Sequence, residues 1–290
     1  MRRSRRPSGL LGAGAVLLAV VAFGPPPDGA PAGAGVAPEP DAPAPLPRPA
    51  GWPAPRYDVS ATPPTQAGVA LGRALFYDPR LSRDGTISCA SCHLQATGFT
   101  HADHALSHGI EGRVGRRSTL ALVNLAWNPV LHWDGGVHHL DVQPLTPLTH
   151  PAEMDHSPAA VVADLNRSKP CRARFARAFR GDSVPTGQRV LLALAQFTGQ
   201  FVSYRSRYDK HVRHEPGGEL TEQELTGLAL FRRHCAAPHR ATRTLDPRLR
   251  APFPLTANDQ RDLIAFLLTL TDDEFLTDPQ FGYPVEEGGG

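Results

Sequence analysis

A mainly α fold is the class that this 290-residue sequence predicts. Apolar residues recur at spacings of three and four along several stretches, three of which open on a capping signal, and no strand-like alternation of useful length occurs. A further observation is the long irregular segment 78–157, rich in Gly, Pro, His and Asp yet dotted with Leu120, Leu122, Val123, Leu125, Trp127, Leu131 and Trp133. An aperiodic stretch of that length inside a folded domain is expected to wrap something.

In chain order, residues 1–23 read as an export signal. Arg2, Arg3, Arg5 and Arg6 lead into an apolar run from Leu10 to Phe23 that is short and Gly/Ala-rich for a membrane span. With no clear small-residue cleavage site, an uncleaved segment acting as a membrane tether stays open. Residues 24–64 are expected to be a disordered tether, because Pro, Ala and Gly dominate and there is little to bury. Order is expected from Thr65, with Val69, Leu71, Leu75 and Phe76 on one helical face and a stop at Tyr77-Asp78-Pro79. Ser157 and Pro158 start a helix lined by Val161, Val162 and Leu165. Further helices are expected over 172–179 and over 187–204, the latter carrying Val190, Leu191, Leu194, Phe197 and Phe201. Thr221-Glu222-Gln223-Glu224 forms a capping box ahead of Leu225, Leu228 and Phe231. Thr256 caps a last helix through Leu263, Phe266, Leu267 and Leu270, and 285–290 is expected to be a flexible tail.

The chemistry concentrates at Cys89-Ala90-Ser91-Cys92-His93. Two thiols three apart followed by an imidazole match covalent attachment of a c-type haem, with a thioether from each thiol and His93 as proximal iron ligand. A zinc site would need a second ligand pair, and none occurs at zinc-finger spacing. A dithiol redox pair normally sits in a βαβ pattern, whereas these flanks are loop residues after a helix-like run. A haem would also supply the apolar core that the irregular segment lacks. Cys171 and Cys235 remain as a disulfide or as two buried thiols. The formal charge of +2, with no basic field, excludes nucleic acid as an expected partner.

Several motifs occur together in a specific order. Leu71-Gly72-Arg73-Ala74-Leu75-Phe76-Tyr77-Asp78-Pro79-Arg80-Leu81-Ser82, then Ile87 to His93, then Gly98-Phe99-Thr100, then Trp133-Asp134-Gly135, Gln143 and Glu153-Met154 resemble the bacterial di-haem cytochrome c peroxidases. That group includes the di-haem enzyme that matures methylamine dehydrogenase. The resemblance covers about 65–240 and resumes from about Leu245 to Pro284, where Asp262-Leu263-Ile264-Ala265-Phe266-Leu267 is similar to the closing helix. It implies cytochrome-c-like haem domains with long irregular haem-wrapping loops: an intact peroxidatic domain over 65–215 and a truncated second domain over 216–284.

The resemblance also implies roles. Glu153 corresponds to the distal-pocket glutamate that moves a proton during peroxide cleavage, and Gln143 to a pocket glutamine that orients peroxide or water. Trp133 corresponds to a tryptophan between the haems that serves as electron relay. His108 stands near the position of a removable sixth iron ligand, with His101 and His104 as neighbours that leave the alignment, or a weak metal patch, open.

The chain departs from the pattern in its second half. Cys235-Ala236-Ala237-Pro238-His239 stands where a second haem motif is expected, with Pro238 replacing the second thiol. One thioether at Cys235 with His239 as ligand stays chemically open. Only Met1 and Met154 are present and no histidine follows His239, so the usual downstream axial ligand is missing. Ser118 replaces the calcium-site asparagine, which puts calcium in question. One haem c is therefore expected. The reading is an exported, periplasmic peroxidase that reduces hydrogen peroxide with electrons from a small redox protein such as a cytochrome c or cupredoxin; a homodimer stays open. A non-enzymatic electron-transfer or haem-binding remnant and an oxidase acting on a protein substrate are the alternatives.

Overall fold

The hydroxyl of Thr65 accepts a hydrogen bond from the Gly68 amide (3.0 Å), satisfying one orphan donor of the first turn of α1, Gln66–Phe76. The computed structural model describes residues 42–180, 182–235 and 254–284. Nine further helices follow among them: α2 Cys89–Cys92, α3 Leu145–Thr149, α4 Pro158–Asn166, α5 Lys169–Ala178, α6 Gly187–Thr198, α7 Arg207–Val212, α8 Glu222–His234, α9 Ala257–Leu268 and α10 Asp273–Thr277. Among the described residues, β-pairing is limited to isolated bridges. The mainly α class follows from the apolar periodicity, as expected.

Two close helix crossings set the frame. At Gly72 on α1 an added Cβ would lie 1.9 Å from the Ala193 carbonyl oxygen on α6, so the approach requires glycine; Gly227 on α8 meets the Asp262 carbonyl of α9 in the same way (2.0 Å). Leu71, Leu75 and Phe76 from α1 and Val190, Leu194 and Phe197 from α6 are buried. Removing such side chains from water stabilises the fold by about 1.5–3 kcal/mol each. The caps at Ser157, Thr221 and Thr256 form: each hydroxyl accepts from the amide three residues on (3.2, 3.3 and 3.1 Å).

Two expectations are corrected. First, α6 ends at Thr198 rather than continuing to Tyr204. Beyond it the backbone finds other partners: Ser203 exchanges hydrogen bonds with the Asn124 side chain (both 3.0 Å), and the amides of Tyr204 and Arg205 donate to the Asp272 carboxylate (3.0 Å each). Second, residues 42–64 are held against the body. The Gln66 amide at the start of α1 donates to the Ala42 carbonyl (2.8 Å), Arg56 and Tyr57 donate to the Ala126 carbonyl (2.8 and 3.0 Å), and Trp52 packs edge-on against Trp127 at 5.1 Å. Proline offers no amide donor, but several of the remaining amides of this stretch are bonded, and two aromatic side chains anchor it. The disulfide left open above is not formed; Cys171 is a buried free thiol and Cys235 a half-buried one. The expected export signal, the tail 285–290 and His239 lie outside the described residues. No helix among the described residues is long and apolar enough to cross a membrane.

The last described segment straps the back of the Cys89–His93 turn. Arg73 donates to the Pro279 and Gly282 carbonyls (2.7 and 2.8 Å), Tyr77 to Phe281 (2.7 Å) and the Gln95 amide to Asp278 (2.7 Å). Phe275 and Phe281 join Phe76, Phe99, Phe197 and Phe201 in one aromatic core, in which Phe99 stacks on Phe201 at 3.9 Å.

Candidate functional site

The single turn of α2 puts Cys89 and Cys92 three residues apart, on one face, with His93 as the residue that ends it. Its ends are tied locally: the Ser88 amide donates to the Ser91 hydroxyl (3.0 Å) and the His93 amide to the Cys89 carbonyl (3.0 Å). The His93 ring is then fixed from behind. Its Nδ1 lies 2.7 Å from the Phe99 carbonyl oxygen. Phe99 sits in the left-handed region (φ 58°) beside Gly98 (φ 71°), and the aromatic core around its buried ring holds that conformation. With Nδ1 engaged, Nε2 is the nitrogen left to bind a metal.

Cys89, Cys92, His93, His108, Gln143 and Glu153 all line one cleft, whose apolar wall includes Phe76, Leu122, Met154 and Leu194. An adjoining cleft shares Cys92, His93, Gln143 and Glu153 and adds Trp133. The chain reaches this arrangement by returning on itself: Gln143 stands just before α3 and Glu153 just after it, where the amides of Met154 and His156 donate to Pro147 and Leu148 (3.2 and 2.7 Å). The two loops that carry His108 and Glu153 touch directly at Gly109. A Cβ there would lie 2.2 Å from the Ala152 carbonyl oxygen and 2.6 Å from the Glu153 Cα.

The electrostatics of the cleft favour neutral forms. Burial, with the neighbouring Cys92 adding to it, pushes the Cys89 thiol up to about 12. Burial and then the charge of Glu153 raise Cys92, whose thiol donates to the His108 carbonyl (3.3 Å). Burial drives His93 down to about 4, against the pull of the Phe99 and Leu120 carbonyls. Thiols held up in this way are poor thiolate nucleophiles, which argues against a dithiol redox pair.

The family model for di-haem cytochrome c peroxidase matches residues 66–217, more than half of the chain. This chain belongs to the di-haem cytochrome c peroxidase family. It is 36% identical over 208 residues to the methylamine utilization protein MauG of Methylorubrum extorquens, a match covering 69% of this chain and 55% of that protein. It is 33% identical to the cytochrome c551 peroxidase of Nitrosomonas europaea, over 61% of this chain and 53% of the other. The chain thus spans about half the length of the curated relatives it matches. A solved MauG-like protein associated with microbial copper homeostasis superposes with a TM-score of 0.69 at 25% identity, covering 82% of this chain and 98% of that one.

Membership of the di-haem cytochrome c peroxidase family implies c-type haem, and the residues present fit it. Two neutral thiols on one face, an imidazole with one nitrogen already engaged and an apolar wall meet in one cleft. Trp133 is 48% exposed, and its indole Nε1 donates to the carbonyl of Ser118 (2.9 Å). The His108 ring lies 4.2 Å from that of His104, which in turn stacks on His101 at 4.2 Å. Among the described residues no group of three or more His, Cys, Asp or Glu is arranged to hold a metal ion. Cys235 ends α8, its amide bonded to Phe231 (2.8 Å), and lines neither cleft. Sequence reasoning missed the Phe99 carbonyl and Gly109, which act through the backbone. It also missed Arg83, Glu111, Arg113 and Asp155 beside the cleft, whose only sequence signal is opposite charge at wide separation.

Proposed function

We propose that this chain is an exported c-type haem peroxidase that reduces hydrogen peroxide to water with electrons from a small redox protein, such as a cytochrome c or cupredoxin. Haem bound at Cys89, Cys92 and His93 supplies the redox chemistry by which peroxide takes up two electrons and two protons and leaves as two waters. The protein's own residues bind, orient and move protons. Glu153 carries a proton between the two peroxide oxygens, and the Gln143 amide orients the bound molecule by hydrogen bonding. His93, fixed through Nδ1 by the Phe99 carbonyl, presents Nε2 in a set direction. Trp133, half exposed at the adjoining cleft and tied through its indole to Ser118, is the proposed relay for incoming electrons. His108, which lines the same cleft, would be a second imidazole able to hold the iron when haem is bound and so to govern whether peroxide can enter.

The observation that carries this reading is the meeting of Glu153 and Gln143 with the Cys89–Cys92–His93 turn in one cleft. Export is supported by the basic and apolar pattern of residues 1–23. A second reading, an oxidase acting on a protein substrate, is favoured by the 36% identity to a methylamine utilization protein. The test is Glu153→Gln, which keeps the shape and removes the proton carrier. At unchanged haem content, peroxide consumption with a reduced cytochrome c should fall about 10²- to 10⁴-fold. Undiminished turnover would remove Glu153 from the chemistry. Absence of turnover in the wild type would favour the second reading.

A further inference from the structure

Beside the cleft lies a four-membered ion network that the chemistry above does not use. Arg83 reaches Glu111 Oε1 (2.9 Å) and Asp155 Oδ2 (3.1 Å); Arg113 reaches Glu111 Oε2 (2.5 Å) and the same Asp155 oxygen (3.2 Å). Each guanidinium therefore bridges both carboxylates, a task for which its planar fork is suited. Backbone bonds run in parallel. Arg83 N–H donates to the Met154 carbonyl (3.0 Å) and Ile110 N–H to that of Glu153 (2.9 Å), while the Arg113 side chain adds a bond from Nη1 to the Pro151 carbonyl (2.7 Å).

The location matters more than the energy. The four side chains are between 30 and 48% exposed, and isolated pairs at such sites contribute little to stability. Yet Glu111 stands three residues after His108, Asp155 two after Glu153, and Arg83 six before Cys89, so the network joins the three chain segments that carry the site. Glu111 and Asp155 are both held at positive φ (55° and 47°), a conformation that non-glycine residues keep only where the surroundings impose it.

We propose that Arg83 and Arg113 are positioning residues that lock the His108 loop to the Glu153 loop, so that the two move as one unit and the clamp sets the spacing of His108 from Glu153 across the cleft. This rests on the reading of the cleft as a peroxide site, and it adds residues that touch neither peroxide nor haem. Loss of either arginine frees both loops, although Arg83 belongs to neither and Arg113 to only one.

The test uses the full chain with Arg83→Gln and Arg113→Gln, singly, and hydrogen–deuterium exchange of peptides covering 107–113 and 150–155. Each variant is expected to speed exchange about tenfold or more in both loops. At equal haem content, the ferric absorption spectrum should shift in spin state and kcat/KM for peroxide should fall about ten- to a hundredfold, mostly in kcat. Arg113→Lys keeps the charge without the fork and should restore little. Faster exchange confined to one of the two loops, or a lower Tm with an unchanged ferric spectrum, overturns the proposal. The exchange measurement, made on the haem-loaded chain, needs no turnover, so a wild type that fails to consume peroxide removes the peroxidase reading while leaving the clamp tested on its own.

Discussion

At the scale of single residues, the site depends on backbone groups as much as on side chains. Gly109 lets two loops meet at a distance that no Cβ tolerates, and the rigid partner is backbone, which cannot rotate away. Gly109→Ala is therefore expected to lower stability by about 1–3 kcal/mol, the usual cost of forcing extra volume into a packed contact; urea unfolding measures it, and an unchanged midpoint would mean that the loops are not closed in solution. Cys89, Cys92 and His93 were legible in the sequence because their relation is local: four residues of spacing contain the whole motif. Gln143, Glu153 and Trp133 were legible only through the family pattern, since each taken alone reads as an ordinary loop or core residue. The Phe99 carbonyl had no signal of its own, because any residue carries a carbonyl and only the left-handed turn at Gly98-Phe99 aims this one at His93.

At the scale of elements, Asp272 explains why α6 stops early. Its buried carboxylate caps α10 through the Phe275 amide (3.2 Å) and accepts from the Ser203 hydroxyl (2.8 Å) and the amides of Tyr204 and Arg205. By accepting from these amides the carboxylate satisfies backbone donors that a continuing helix would have used, a long-range competition invisible to periodicity, which therefore overran to Tyr204. Loss of the cap and of several charge-assisted bonds predicts that Asp272→Ala costs about 2–4 kcal/mol. Burial raises this carboxyl, but the hydrogen bonds, that from the Arg205 amide foremost, outweigh it and hold the group below its ordinary value of 3.8. A depressed folded value means that the contribution is complete above pH 3.8 and is lost as pH falls further, through the folded value. The gap in Tm between wild type and Asp272→Asn should stay constant above about pH 5 and close in more acid solution. A gap that persisted at pH 2 would show the carboxylate's charge to be irrelevant. The locally signalled caps at Ser157, Thr221 and Thr256 were, by contrast, readable from four consecutive residues each.

At the scale of the molecule, the C-terminal strap and the aromatic core form the back wall of the haem turn. Phe275, Phe281 and the Arg73 bonds to 279 and 282 connect the end of the described chain to α1, more than 200 residues earlier. The apolar anchors Leu122, Leu125 and Leu131 of segment 78–157 are buried in the common core, and the mainly α class was legible from periodicity. The anchoring of 42–64 was not, because composition describes what proline-rich chain does alone and not what Trp127 and Ala126 offer it. The proposed division at 215/216, and a second haem at Cys235, rest on the family pattern, and the chain spans about half the length of its curated relatives. The most direct measurement is a pyridine haemochrome assay on protein matured in a host that installs c-type haem. One covalent haem per chain is expected, abolished in Cys89→Ser/Cys92→Ser and unchanged in Cys235→Ser. Colourless protein, two haems per chain, or covalent haem that survives loss of Cys89 and Cys92 would contradict it.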